Sequence, residues 1–263
     1  MTPENMKKAA AMLIRARDAG GAIPRLPADL RPVTMQEGYA IQDEVMRLRA
    51  ASGMEQAGWK VGCTSKVMQE MLGLDEPGGG AVLAANHHTT PARQVASGLT
   101  NPVAECEIAV RIGQDVEPRD GGHDRTTVAG CVEACMAAIE LAELRLPEHA
   151  DMAPAEKVAD DFFQKLIVTG EEITAWQSLD LAALRATTTV SGVARGEGYG
   201  EASLGHPLNT VAWLANCLAE RGTRLVAGHV VLTGSLVEAV LVEQGDDIVC
   251  AVEGLGEVRL TMV

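Results

Sequence analysis

Aromatic residues are scarce in this chain: two Phe, two Tyr and three Trp among 263 residues. Basic residues are also in deficit, 22 Lys and Arg against 36 Asp and Glu, for a formal net charge of -14. A phosphate backbone would be repelled, and no Lys/Arg cluster interleaved with aromatics offsets this, so nucleic acid is excluded as an expected partner. The same charge disfavours an anionic membrane surface, and no uninterrupted apolar run reaches membrane-spanning length. The N-terminal Met-Thr-Pro-Glu-Asn leads straight into an amphipathic pattern without an apolar leader region, so the expected location is the cytoplasm. The six cysteines, Cys63, Cys106, Cys131, Cys135, Cys217 and Cys250, lack the close Cys/His spacing of a zinc site and mostly sit in apolar runs, where they read as reduced core thiols. Internal repeats, low-complexity tracts and coiled-coil heptads are missing too.

What is present is an apolar fraction of 47%, ample for a continuous core. An acidic protein that takes an anionic substrate has to reverse its own field locally, and a bound divalent cation is a direct means. Clustered carboxylates therefore become the feature to look for.

The N-terminal part is helical in pattern. From about Asn5 to Ala19 the positions Met6, Ala9, Ala10, Leu13 and Ile14 recur at helical spacing before Gly20-Gly21. Thr34-Met-Gln-Glu37 has the form of a capping box, and Tyr39, Ile41, Val45, Met46 and Leu48 carry an apolar stripe to about Ala51. After Gly58 short apolar runs are broken by Gly, Pro and Asp, which predicts strands at Trp59–Cys63, Val103–Ile112, Ile139–Arg145, Leu166–Thr169, Thr188–Val193, Val230–Thr233, Ile248–Val252 and Glu257–Val263. One later helix is signposted by Pro207 in its first turn, the stripe Leu208, Val211, Leu214, Ala215 and Leu218, and Gly222 beyond its end. The absence of regular βαβ alternation points to a mainly β core with peripheral helices. The expected organisation is a helical N-terminal segment, residues 1–55, and a β-rich catalytic domain, residues 56–263, forming one compact unit.

Within Val103-Ala-Glu-Cys-Glu-Ile-Ala-Val110, a period of two sends Glu105 and Glu107 to one face of a strand, with Cβ atoms roughly 6.5 to 7 Å apart. Two readings stand. Taken as pattern alone, an ordinary amphipathic strand with both acids in water is the commoner one; the other is a carboxylate pair closing on one hard cation. Glu140, the one acid in Met136-Ala-Ala-Ile-Glu-Leu-Ala142, reads by pattern as the wet edge of a helix face. Lys60, in Gly58-Trp-Lys-Val-Gly62, either snorkels to solvent or points into a cleft as an acid, a base or an electrostatic clamp.

Taken in order, Tyr39-Ala-Ile-Gln42, Gly58-Trp-Lys-Val-Gly-Cys-Thr-Ser65, Met71-Leu-Gly-Leu-Asp-Glu-Pro77, Glu105-Cys-Glu107, Ala138-Ile-Glu-Leu141, Gly205-His-Pro-Leu208 with Ala212-Trp-Leu214, and Val231-Leu-Thr-Gly-Ser-Leu236 closely resemble the 2-keto-4-pentenoate hydratase and 4-oxalocrotonate decarboxylase family of the fumarylacetoacetate hydrolase superfamily. The resemblance spans nearly the whole chain. It implies an α+β fold, a mixed β-roll core of the fumarylacetoacetate hydrolase C-terminal type with a helical N-terminal segment. It implies Glu105, Glu107 and Glu140 as ligands of Mg2+ or Mn2+, a catalytic Lys60 that reaches the substrate, and Leu72 and Ser235 as substrate-binding positions, to which Phe162 and Phe163, where this chain departs from the pattern, are added as candidates. Ser235 would lie on the Thr233-Gly-Ser235 turn, with its hydroxyl and nearby N–H groups toward the substrate's C1 carboxylate. The implied partners are a small-molecule 2-oxo acid, further copies in a homo-oligomer, and a related decarboxylase or hydratase.

Two departures from the family pattern stand out. Where members carry an Asp after Glu-Pro, this chain has Gly78, within Pro77-Gly-Gly-Gly80, and Asp75, Glu76, His87 and His88 are the candidate stand-ins. Where members have Ala-Asp-Asn and small residues, this chain has Ala159-Asp-Asp-Phe-Phe163, and these are its only two Phe. Two rings would exclude water and favour an apolar substrate portion, or close the pocket. The leading expectation is hydration of a 2-hydroxy-2,4-dienoate in the catabolism of aromatic meta-cleavage products. The alternatives are decarboxylation of a 2-oxo-3-enedioate, carbon-carbon hydrolysis or tautomerisation of a diketo acid, and a weakly active subunit that binds a partner enzyme.

Overall fold

The computed structural model describes residues 1–146 and 151–263. Helix α1 (Pro3–Ala19) starts on proline with the Thr2 hydroxyl capping the Asn5 N–H, and α2 (Met35–Ala51) is capped by Thr34 on the Glu37 N–H. Only half of the predicted capping box forms at α2, because the Glu37 carboxylate reaches back to the Val33 N–H instead. The two helices bury Ala9, Ala10, Leu13, Ile41 and Val45 against each other and against Leu26, Leu30 and Ala159.

Thirteen strands among the described residues form two mixed sheets. The first contains β1 (Gln56–Gly62), β2 (Gly78–Leu83), β3 (His87–Thr89), β5 (Pro102–Ile112), β6 (Val132–Glu143), β7 (Gln164–Thr169) and β10 (Val230–Ser235), in the order β2-β1-β10-β5-β6-β7-β3, with β11 (Val240–Leu241) also on β5. The second is β4-β13-β12-β8-β9, built from β4 (Ala92–Gln94), β8 (Arg185–Val190), β9 (Val193–Tyr199), β12 (Asp247–Val252) and β13 (Gly256–Met262). Pairing is parallel for β1 with β10, β3 with β7 and β4 with β13, and antiparallel elsewhere. Three short helices, α3 (Lys66–Leu72), α4 (Arg125–Ala129) and α5 (Pro154–Ala159), join the strands, and α6 (Pro207–Glu220) has all five residues of its predicted stripe buried. No helix among the described residues is long and apolar enough to cross a membrane, and all six cysteines are free thiols.

The two faces of the first sheet do different work. Trp59, Val61, Cys106, Ile108, Val110, Ile139, Leu141, Leu166 and Val168 point toward the second sheet and α6, forming the main core with Ile248, Cys250, Val258, Leu260 and Leu214. The opposite face carries a smaller apolar cluster, Val82, Ala109, Met136, Ala138, Ile167, Val230 and Leu232. Because both faces of β6 are covered, its residues are buried from Ala134 to Glu143 and its sequence shows no alternation. The helix reading of Met136–Ala142 is thereby corrected: the segment lies inside β6, which starts at Val132, well before the predicted Ile139. The run Thr188–Val193 is likewise corrected to a hairpin, in which Ser191 (φ 51°) and Gly192 (φ 79°) turn β8 into β9.

Between α5 and β7 the chain makes an unusual turn. Asp161, Phe162 and Phe163 have φ of 49°, 48° and 65°, three consecutive left-handed residues, each costing roughly 1–2 kcal/mol relative to ordinary backbone. A buried charge network holds the turn in place. Arg17 Nε donates to Asp160 Oδ1 at 2.7 Å and Arg17 Nη1 to Asp161 Oδ2 at 2.7 Å. Arg145 Nε donates to Asp160 Oδ2 at 2.9 Å, and Asp161 Oδ1 accepts the Ala81 N–H of β2 at 3.1 Å. Burial works against the Asp160 charge, but Arg145 and Arg17 more than offset it and hold its pKa below the usual value.

Asp160→Asn is therefore expected to cost about 3 kcal/mol of unfolding free energy or more in urea denaturation, since it leaves two arginines underpaired in the interior. A cost below about 1 kcal/mol, the range of surface ion pairs, would contradict the role given to this network. The pH dependence has a defined sign: with its folded pKa depressed, Asp160 contributes fully above the ordinary carboxylate range, and that contribution is lost as pH falls through the folded value.

Candidate metal centre

Strand register brings the acids together. Glu105 on β5 lies directly opposite Glu140 on β6, and Glu107, two residues on, shares their face opposite Ala138. One oxygen from each of the three carboxylates lies within 4.8 Å of the others. Glu107 and Glu140 are fully buried and Glu105 is half-buried, so the wet-strand reading of Glu107 and the wet-edge reading of Glu140 both fail. Glu107 Oε1 and Glu140 Oε2 are buried without a hydrogen-bond donor, and Glu140 Oε1 has only the Lys60 ammonium at 3.1 Å, an arrangement that is costly unless a further cation completes it.

Lys60 belongs to the same face. Its strand runs parallel to β10 with Lys60 opposite Leu232, and Leu232 lies opposite Ala109 of β5. From there the side chain, 3% exposed, brings its ammonium to 3.1 Å from Glu140 Oε1. The solvent-snorkelling reading is excluded. Burial acts to lower the Lys60 pKa, and the carboxylates of Glu140, Glu105 and Glu107 outweigh it, so the net shift is upward and the group stays an ammonium. Burial, followed by repulsion from Glu140 and Glu105, pushes Glu107 well above the usual carboxylate range. Burial also pushes Glu140 up to about 7, although Lys60 works against the shift. Three carboxylates and one ammonium leave two negative charges uncompensated when all are ionised. An all-oxygen donor set with that charge fits a hard divalent cation such as Mg2+ or Mn2+.

Thr233-Gly-Ser235, expected on a turn, lies instead at the end of β10, where a strand irregularity positions Glu107. The register between β10 and β5 shifts between Leu232 and Ser235, and Gly234 (φ 101°) turns its N–H onto Glu107 Oε2 at 2.7 Å. A Cβ there would stand 2.3 Å from Thr64 Oγ1, so glycine is required on both counts. Ser235 Oγ donates to the Val237 carbonyl at 2.6 Å. As placed, the hydroxyl proton goes to the Val237 carbonyl and the Gly234 N–H to Glu107, so this end of β10 orients the Glu107 carboxylate.

The wall beside Lys60 is aromatic and aliphatic. The Phe162 ring centre lies 5.6 Å from Lys60 Nζ, and the ring packs with Tyr39, Leu74, Val158 and the half-buried Leu72. Phe163 does not join it. The left-handed turn sends that ring the other way, into a cluster with Ile23, Val103, Ala142, Leu146 and Met152, which removes it from the substrate-binding positions. Asp75 and Glu76 are exposed, with Glu76 accepting the Trp213 indole N–H at 3.2 Å. His87 Nε2 is engaged with Thr169 Oγ1 at 2.9 Å, and His88 is exposed. The structure places none of these four stand-ins against the carboxylates.

Residues that sequence reasoning passed over anchor this wall. Tyr39 Oη accepts the Gly79 N–H at 3.1 Å, and Gln42 Nε2 donates to the Gly79 and Val158 carbonyls at 2.9 and 3.0 Å, tying α2 to β2 and α5. The paired polar residues of Tyr39-Ala-Ile-Gln42 inside an apolar stripe were the available signal. A cleft of about 580 Å³ lies between α2 and α6 at Tyr39, Trp213 and Arg221, and one of about 210 Å³ lies at Arg17, Arg49 and Arg145. Neither is lined by the three carboxylates, so donor chemistry rather than volume locates the site.

Comparison with known proteins agrees with this geometry. Residues 79–263 match the fumarylacetoacetate hydrolase C-terminal family. A 2-keto-4-pentenoate hydratase of Paraburkholderia phymatum is 35% identical over 224 residues, covering 84% of this chain and 83% of the relative. A 2-hydroxyhexa-2,4-dienoate hydratase of Comamonas testosteroni is 34% identical over 226 residues, 85% of this chain and 84% of the relative. Among solved structures, the 4-oxalocrotonate decarboxylase of Pseudomonas putida G7, complexed with magnesium and adipate, superposes with a TM-score of 0.93 at 28% identity, covering 100% of this chain and 99% of the other. On the agreement of fold, sequence and carboxylate cluster, the chain belongs to the fumarylacetoacetate hydrolase C-terminal family and to its 2-keto-4-pentenoate hydratase group.

Proposed function

We propose that this protein is a divalent-metal-dependent lyase that hydrates a 2-hydroxy-2,4-dienoate to a 4-hydroxy-2-oxo acid, a reaction of aromatic ring-cleavage catabolism. The observation that carries the reading is the trio Glu105, Glu107 and Glu140, one oxygen of each lying within 4.8 Å of the others, with Glu107 Oε1 and Glu140 Oε2 buried and lacking any donor. The names of the relatives supply the substrate class. Glu105, Glu107 and Glu140 would hold Mg2+ or Mn2+, and the bound cation would polarise the C2 oxygen of a 2-oxo acid.

The chain's own groups supply the rest. Gly234 fixes Glu107 in its ligating orientation through the backbone N–H. Lys60, held as an ammonium by the neighbouring carboxylates, acts as a fixed positive charge at Nζ, next to the place where negative charge develops on the substrate. Leu72 and Phe162 line the wall beyond Lys60 and exclude water from it. A second reading, decarboxylation of a 2-oxo-3-enedioate, shares the dienolate intermediate and is favoured by the close superposition on the decarboxylase.

Glu107→Gln is expected to lower Mg2+-dependent turnover by more than the roughly 10- to 100-fold that loss of an outer partner costs a metal site, while leaving cooperative unfolding intact. Full activity in that variant would remove the ligand assignment. Lys60→Ala should lose about 10²- to 10⁴-fold in kcat and bind Mg2+ at least as tightly in calorimetry, since a competing cation is gone; an unchanged rate would reduce the lysine to scaffold. Metal binding should also show a linkage to pH. Glu107 and Glu140 are raised in the folded protein, so without metal their contribution to stability is full below the ordinary carboxylate range and is lost as pH rises through their folded values, about 7 for Glu140. At saturating Mg2+ the melting temperature is expected to rise by roughly 5–10 °C at pH 8 and by clearly less at pH 5.5, where protons compete; equal shifts at both pH values would contradict the site.

A further inference from the structure

Gly78 and Phe162 are distant in sequence and occupy one volume in the fold. Gly78 begins β2, opposite Gly62 of the strand that bears Lys60. A Cβ added to Gly78 would lie 2.0, 2.5 and 3.0 Å from Cε2, Cζ and Cδ2 of Phe162. No side chain tolerates such distances, so the ring fills the space that any larger residue at position 78 would claim. Nor is the ring free to yield. It belongs to a buried cluster with Tyr39, Leu74 and Val158, and its backbone sits in the left-handed turn that Arg17 and Arg145 clamp through Asp160 and Asp161.

The ring is also linked to the carboxylates through Lys60. Its centre is 5.6 Å from Lys60 Nζ, which in turn is 3.1 Å from Glu140 Oε1. A 2-oxo acid held through a cation at the three carboxylates would have the Gly234 segment of β10 and the β5–β6 strands around its C1 and C2 oxygens, and its tail would extend toward Lys60 and Phe162. We propose that Phe162 is the specificity-determining residue of this site: its ring makes an apolar end wall that accepts a short uncharged hydrocarbon tail and rejects a terminal carboxylate. A carboxylate pressed against the negative face of the phenyl ring, in a cluster with Leu74 and Val158, would lose water to apolar surface, and the nearby Lys60 ammonium is already paired with Glu140. This inference rests on the reading of the carboxylates as a metal and 2-oxo acid site. It selects the dienoate over the enedioate as substrate.

The test is calorimetric binding of 2-oxopentanoate and of 2-oxohexanedioate to the Mg2+-loaded protein, with melting curves alongside. The unaltered protein should bind the monoacid more tightly. Phe162→Ala should shift the ratio of dissociation constants toward the diacid by at least about 10-fold, the scale at which an apolar pocket discriminates, and Phe162→Leu should shift it less. Gly78→Ala should lower the melting temperature in the unaltered background and cost little more in the Phe162→Ala background, because the clash is gone. The inference is overturned by a diacid preference in the unaltered protein, by a ratio that neither Phe162 variant moves, or by additive effects of the two substitutions. Failure of the unaltered protein to bind either acid in an Mg2+-dependent way would instead overturn the metal-site reading beneath it.

Discussion

The structure is organised around a charge imbalance that burial makes expensive. Three glutamates share one face of one sheet, two of them without solvent exposure, and the only cation the described residues bring against them is Lys60. Ala109, Met136, Ala138, Ile167 and Leu232 flank the glutamates on the same face and offer no polar group for hydration from that side. Such a cluster is unfavourable as a set of ions and is relieved either by protons or by a divalent cation. The upward shifts of Glu107 and Glu140 describe the first alternative, and the all-oxygen donor set describes the second.

The surrounding architecture keeps that imbalance in place. Register between β5 and β6 sets Glu105 against Glu140, and the irregularity in β10 turns the Gly234 N–H onto Glu107. On the other side of Lys60, the Arg17, Arg145, Asp160 and Asp161 network holds a left-handed turn whose strain is local to the site wall. The N-terminal helices thereby reach the chemistry without touching it: Arg17 clamps the turn, and Tyr39 and Gln42 hold the strand and helix ends around Phe162.

Legibility in the sequence follows the same physics. Glu105 and Glu107 were visible as a pair because β5 keeps its period of two through them, and α6 was visible because one of its sides faces solvent. Glu140 was hidden, since a strand covered on both faces loses alternation and reads like a buried helix. The pairing of Gly78–Leu83 with Lys60's strand was hidden by its opening glycines, which resemble a loop until Phe162 and Asp161 are seen to leave no room for side chains there. Neighbouring Phe162 and Phe163 look alike on paper, yet three left-handed residues send one ring to the site wall and the other to the N-terminal cluster. Family resemblance, rather than pattern, united Glu140 with the other two acids, and the strand register supplies the physical reason.

The most direct test of the central claim is the anomalous diffraction of crystals grown with Mn2+ after exhaustive chelation. The account predicts one manganese peak per chain bounded by oxygens of Glu105, Glu107 and Glu140, at about 2.0–2.3 Å. Peaks confined to other surfaces, with Glu140 still paired to Lys60 and Glu107 still held only by Gly234, would contradict it.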